Sequence, residues 1–197
     1  MRKSIILNTA QVLQLQDTGT VAVVDMVKVQ PPDNRYTLSE ILSTTGDNKN
    51  IGKLFWALMD KDGYSIIDGK QPLFPALHRP GSTLYVRENT CNFEGGIIYC
   101  ADKNYNSIVD GDLYNWKSAA TMPKSAARLN ATTTDVLCVR LKDISHEQLM
   151  LLGFSKCTLG YSPIWYENYH DYIISRFGLY AWYENRYIFI TTLKLNK

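Results

Sequence analysis

The stretch Ala131–Leu141 (ATTTDVLCVRL), with Lys142–Gly153 (KDISHEQLMLLG) directly after it, decides the fold class. Its first half is dense in Thr and Val, whose branching at Cβ restricts χ1 and suits a pleated strand. Its second half places Ser145 three residues before Gln148. At that spacing a hydroxyl and a side-chain amide satisfy each other's backbone donors at a helix start. Leu149, Leu151 and Leu152 supply the apolar positions of this helix, and Gly153 stands where a C-cap belongs.

The N-terminal side adds a strand at Ser4–Leu7, then a short helix capped by Asn8 or Thr9, with Val12 and Leu15 on one face and an end near Thr18-Gly19. The run Val21 to Val29 is a second strand, stopped by Pro31-Pro32. From Asp33 to Lys53 the chain is polar, with only a weak helical fragment at Leu38–Leu42. Two hairpins are expected. One has Leu54–Met59 and Tyr64–Ile67 as arms, and the other has Thr83–Asn89 and Ile97–Ala101 around Glu94-Gly95-Gly96. On the C-terminal side a helix over about Pro163–Arg176, closed by Gly178, precedes a last strand at Arg186–Leu195. Six or so strands with two or three short helices predict an α+β domain. A small, mainly antiparallel barrel, closed or nearly so, fits this better than a parallel sheet with regular strand-helix alternation.

The 197 residues, 45% hydrophobic and 20% charged, can bury a core without staples, so one domain over 1–197 is expected. Net charge is +2 and the pI is about 8.3, a balance too mild to point to a nucleic-acid partner by itself. Cys91, Cys100, Cys138 and Cys157 form no close pair of the kind that begins a zinc or redox motif, so free thiols are expected. His78, His146 and His170 are equally scattered, and neither a metal site nor a cofactor is expected. The apolar Ile5–Leu7 is too short for a signal peptide and no segment has bilayer length, so a cytoplasmic location is expected.

Three stretches carry a resemblance. Pro80-Gly81-Ser82-Thr83-Leu84-Tyr85-Val86-Arg87-Glu88 contains a Pro-Gly, an apolar residue, an aromatic and Val-Arg-Glu in order. Trp116-Lys117 with Met122–Arg128, then Val136–Leu141, Lys142–Ser145 and Gly153, forms the longest signature, and Ile6–Thr9 opens the chain. Together they resemble the ASCH domain of the PUA-like superfamily, in the long form found among phage and prophage proteins. About two thirds of the chain is covered, with residues 33–68 and 158–183 as insertions. The resemblance implies a PUA-like β-barrel flanked by helices, in the cytoplasm of a bacterial host. It also implies a cleft beside the first helix that related domains use for RNA or modified nucleosides.

Some compact ASCH proteins hydrolyse acetylated cytidine with Lys and Thr from a Gly-x-Lys-Thr-x-Thr segment and a later Glu. Aligned after Gly19, Val21 stands for the Lys, Val24 for the second Thr and Asn130 near the Glu. Valine carries no nucleophile and Asn accepts no proton as a carboxylate does, so that route fails. The long form also tends to carry paired arginines where Val24-Asp25-Met26 stands here.

The expectation that follows is binding of RNA or a nucleotide-like ligand through Arg87, Lys117, Lys124 and Arg128, with Trp116 as a stacking platform. Against it stands a structural reading in which Trp116 covers the barrel mouth, Pro123 fixes a turn and Arg128 pairs with an acidic neighbour. Glu88 is the one carboxylate considered for acid-base work, and a nucleoside or RNA hydrolase using Glu88 and Lys117 is an alternative. Residues 161–187 are rich in aromatics, among them Trp165, Tyr169 and Trp182. They support a third reading, a protein-interaction module acting on a host or phage protein, against a helix that packs Tyr169, Tyr172 and Ile173 on the barrel.

Overall fold

The computed structural model describes residues 4–33, 35–40, 53–59, 65–66, 72–75, 77–93, 95–102, 115–154 and 164–196. The first strand, β1 (Ser4–Ile6), leads into α1 (Thr9–Thr18). Asn8 caps that helix by accepting from the Gln11 amide at 2.8 Å, and Gln11 Oε1 accepts from the Asn8 amide at 3.1 Å. Gly19 ends it at φ +76°, a left-handed conformation that costs a Cβ-bearing residue. Next come β2 (Thr20–Met26), β3 (Tyr36–Glu40), β4 (Lys53–Met59), β5 (Ser65–Ile66) and β6 (Phe74–Pro75). They are followed by β7 (Thr83–Arg87), β8 (Thr90–Phe93) and β9 (Gly96–Tyr99). The 3-10 turns Ala119–Thr121 and Lys124–Ala126 precede β10 (Asn130–Arg140). Three helices, α2 (His146–Leu151), α3 (Ile164–Phe177) and α4 (Leu179–Tyr183), lead to β11 (Tyr187–Leu195).

The protein is α+β with mixed sheets. The main sheet runs β1-β7-β10-β11-β2, parallel between β1 and β7 and antiparallel elsewhere. Among the described residues the strands pair as an open path with β1 and β2 at its ends, and no closed barrel forms. The sheet nevertheless wraps a shared core, because Ile5 and Leu7 at one end pack with Val21 and Val23 at the other, over Val12 and Leu15 of α1. Burial of such a set, at roughly 25 cal/mol per Å² of apolar surface, curls the sheet without a closing ladder.

Period two on β2 and β11 assigns the three cores. Val21 and Val23 with Leu193 face the α1 core, and farther along the same face Val27 and Phe189 meet Tyr36, Leu54, Trp56 and Phe74 of a second sheet. Ala22, Val24, Ile188 and Ile190 point the opposite way, onto Leu149, Tyr169, Ile173 and Trp182 of α2, α3 and α4. The two stretches outside the resemblance therefore cover the sheet: part of 33–68 forms the second sheet over one face, and α3 and α4 cover the other.

Three expectations change. Residues 36–40 form a strand paired with β4 rather than the start of a helical fragment, because Tyr36 and Leu38 share an apolar face. Thr83–Arg87 belongs to the main sheet, and the arm that pairs with β9 is Thr90–Phe93, with Glu88-Asn89 as the break between. Four α-helices are present among the described residues, α4 being the addition. The β4–β5 pairing agrees with the first expected hairpin, whose turn lies outside the described residues.

Candidate functional site

A cleft of about 470 Å³ opens where the two ends of the main sheet approach each other. Its walls are Ser4–Asn8 of β1 and the α1 cap, Gln11, Val23 and Asp25 of β2, and Arg87 and Asn89 after β7. His78, Ser118, Ala119 and Arg176 complete it. Asp25 lies on the sheet face between Val23, under α1, and Val27, under the second sheet, so the cleft occupies the gap between two packed layers. Asn89 fixes the opposite wall, its Oδ1 accepting from the Ala119 amide at 2.9 Å.

Arg87 is the last residue of β7, and Leu84 and Val86 before it face the core. Its Nη2 donates to the Ala120 carbonyl. Its Nε is buried and meets no acceptor among the described residues. A buried donor left unpaired costs on the order of 1–3 kcal/mol, more where the group is charged.

Glu88, the next residue, is 1% exposed and turns to the other side. Both of its carboxylate oxygens accept from Arg128, from Nε and Nη2 at 2.9 Å each. Arg128 also pairs with Asp102 through Nη1 and lies 4.0 Å above the centroid of the Tyr99 ring. The carboxylates of Glu88 and Asp102 hold its guanidinium above the usual arginine range in spite of the opposing effect of burial, the largest single influence. Pairing with acidic neighbours is thus what Arg128 does in this structure.

Of the five expected binding residues only Arg87 lines the cleft. Lys117 is exposed and bridges by backbone to Thr90, its amide donating at 2.7 Å, immediately before the cleft residues Ser118 and Ala119. Lys124 is exposed on the second 3-10 turn, and Trp116 is partly buried outside the cleft lining. Val21 and Val24 are fully buried on opposite faces of β2, and Asn130 is exposed at the start of β10. In the aromatic segment Tyr169 is buried, its hydroxyl donating to the Leu141 carbonyl at 3.2 Å, and Trp182 is 9% exposed. The Trp165 side chain lies outside the described residues.

Asn8, Gln11, Asp25 and Arg176 were not legible as site residues. Asn8 carried a signal as a helix cap, and Asp25 stood where the resemblance places paired arginines. Nothing local marks Gln11 or Arg176, which join them through the approach of β1 to β2 and of α3 to that seam. Among the described residues no group of His, Cys, Asp and Glu is arranged to hold a metal ion, and no helix is long and apolar enough to cross a membrane. The site therefore belongs to an α+β protein with a polar, arginine-bearing cleft at a sheet seam. Compared with family models, curated proteins and solved structures, the chain finds no match.

Proposed function

We propose that this is an ASCH-like domain of PUA type, of phage or prophage origin, that binds RNA or a nucleotide-like ligand in the cleft beside α1, without catalysis of its own. The observation that carries the reading is the Arg87 guanidinium at the wall of a cavity of nucleotide size, a cation whose buried Nε meets no acceptor among the described residues. A phosphate or carboxylate oxygen in the cleft meets the part of the Arg87 guanidinium that lines it. Arg176 supplies a second guanidinium, and Asn8, Gln11, Asn89 and Ser118 supply neutral hydrogen-bonding groups. Lys117 and Lys124, both exposed, extend positive charge outside the cleft. The hydrolase alternative has less support, since both oxygens of Glu88 are taken by Arg128.

The test is a fluorescence-anisotropy titration of short single-stranded and hairpin RNA and DNA at two salt concentrations. Arg87→Leu should abolish binding. Lys117→Ala and Lys124→Ala should each weaken it and reduce the salt slope by about 1. Undiminished binding by Arg87→Leu overturns the reading.

A second reading, a protein-interaction module, is favoured by α4, where Leu179, Tyr180 and Tyr183 are 47%, 79% and 69% exposed beside the buried Trp182. Partner capture lost in Tyr180→Ser/Tyr183→Ser, with RNA binding absent from the parent protein, would replace the first reading by this one.

A further inference from the structure

A second cavity, of about 460 Å³, lies directly beside the cleft, and Asn8 and Gln11 line both. The α1 capping box is thus a ridge between the two. It is held in place by its reciprocal hydrogen bonds and by Gln11 Nε2, which reaches the Ala22 carbonyl at 3.5 Å. The two sides differ in chemistry. The cleft carries Arg87, Arg176 and Asp25, whereas the second cavity is lined by Ala10, Gln14, Met150, Leu152, Gly153, Phe154 and Tyr172, with no charged side chain among its described lining residues.

Helix α3 joins the two from behind. Tyr172 lines the apolar cavity and Arg176, one turn on, lines the cleft, and Arg176 Nη1 donates to the Tyr172 hydroxyl at 3.1 Å. The Tyr172 hydroxyl is held above the usual tyrosine range, chiefly by burial. Tyr172 and Phe154 are already in edge contact, with ring centroids 5.4 Å apart, and form an aromatic corner.

We infer that the ligand is bipartite: a nucleotide whose anionic group sits against Arg87 and Arg176 and whose base crosses the Asn8 ridge into the cavity of Phe154, Tyr172, Met150 and Leu152. This rests on the reading above and specifies it, because a cleft that recognised only an anion would have no use for an adjoining apolar chamber. Stacking on aromatic side chains is sequence-tolerant, and Gln14 beside the ring corner, whose Nε2 donates to the Leu151 carbonyl at 3.0 Å, offers its Oε1 to a base edge there. The nucleotide is either free or one residue of an RNA chain.

The test compares adenosine 5'-monophosphate, ribose 5-phosphate and an RNA trinucleotide by titration calorimetry, on the full chain and on two variants. Ala10→Trp fills the apolar cavity from the exposed face of α1, and Arg87→Leu removes the anion partner. The monophosphate should bind at least about tenfold tighter than ribose 5-phosphate, the weight of one base-aromatic stack. Ala10→Trp should erase that advantage while leaving ribose 5-phosphate unchanged, and Arg87→Leu should weaken both. A trinucleotide tighter than the monophosphate identifies RNA as the source, and equal affinities identify the free nucleotide. Equal binding of the monophosphate and ribose 5-phosphate, both lost in Arg87→Leu, overturns the bipartite ligand and leaves the cleft reading standing. Absence of binding by all three probes overturns both.

Discussion

Arg128 meets both carboxylate oxygens of Glu88 at 2.9 Å, across 40 positions of sequence, and this pair joins the end of β7 to the turn before β10. It is nearly dry on one side: the Glu88 side chain is 2% exposed and that of Arg128 is 25% exposed. Removing one member of a buried pair strands the other, a loss of roughly 3–5 kcal/mol in fully buried cases. With Asp102 still beside Arg128, Glu88→Ala should cost about 3 kcal/mol, read as a lower urea midpoint at unchanged slope. Glu88→Leu/Arg128→Met should recover part of the loss. A cost under about 1 kcal/mol would show that the pair behaves as an exposed one.

Cys138 supplies a pH dependence. Burial in β10 pushes its thiol up to about 12 from the ordinary 9.0. Between those values the unfolded chain has lost the proton that the folded chain keeps, so the unfolded state binds fewer protons and stability falls as pH rises. The contribution is intact below pH 9 and disappears toward pH 12. Folded protein at pH 8 should therefore resist iodoacetamide at Cys138 and become alkylated there in denaturant, as read by mass spectrometry. Rapid labelling of the native protein would show that partial burial does not hold this thiol protonated.

Trp56 couples the second sheet to the main one. It is 1% exposed, donates from Nε1 to the Val29 carbonyl at 2.5 Å, and lies with its ring centroid 4.8 Å from that of Tyr187 on β11. Trp56→Phe keeps most of the apolar volume but strands the Val29 carbonyl, a loss on the order of 1–3 kcal/mol. Trp56→Ala adds a cavity and should cost about 3–5 kcal/mol. The near-ultraviolet circular dichroism and the thermal midpoint should fall in that order, and equal effects would mean that the hydrogen bond carries no weight.

The elements readable in sequence are those whose causes are local. Asn8, Gly19, the Ser145–Gln148 box and Gly178 each stop or start a helix through the chain within a few residues, and they do so in the structure. The strand runs at 131–141 and 186–195 were legible for the same reason. The division of residues 83–93 between two sheets was not, because Glu88-Asn89 looks like continued strand until Glu88 finds Arg128. The cleft was less legible still. Arg87 was visible as a charged strand end, but Asp25 and Arg176 become its neighbours only because β2 and α3 meet at the seam, a contact no spacing encodes.

Arg87 should show opposite effects on stability and binding. Its buried Nε has no acceptor among the described residues, so the folded state carries that penalty. Arg87→Leu removes the stranded donor and keeps an apolar stem for β7. The lost bond to the Ala120 carbonyl matters little, since Ala120 is exposed and water can replace it. The variant should be as stable as the parent or more so by about 1 kcal/mol, a rise of roughly 2–4 °C in Tm for a chain of this size. Added nucleotide should raise the Tm of the parent by mass action and leave that of Arg87→Leu where it is. A variant that melts well below the ligand-free parent would show that Arg87 is there to hold the fold, and a variant that still gains stability from nucleotide would show that the anion is held elsewhere.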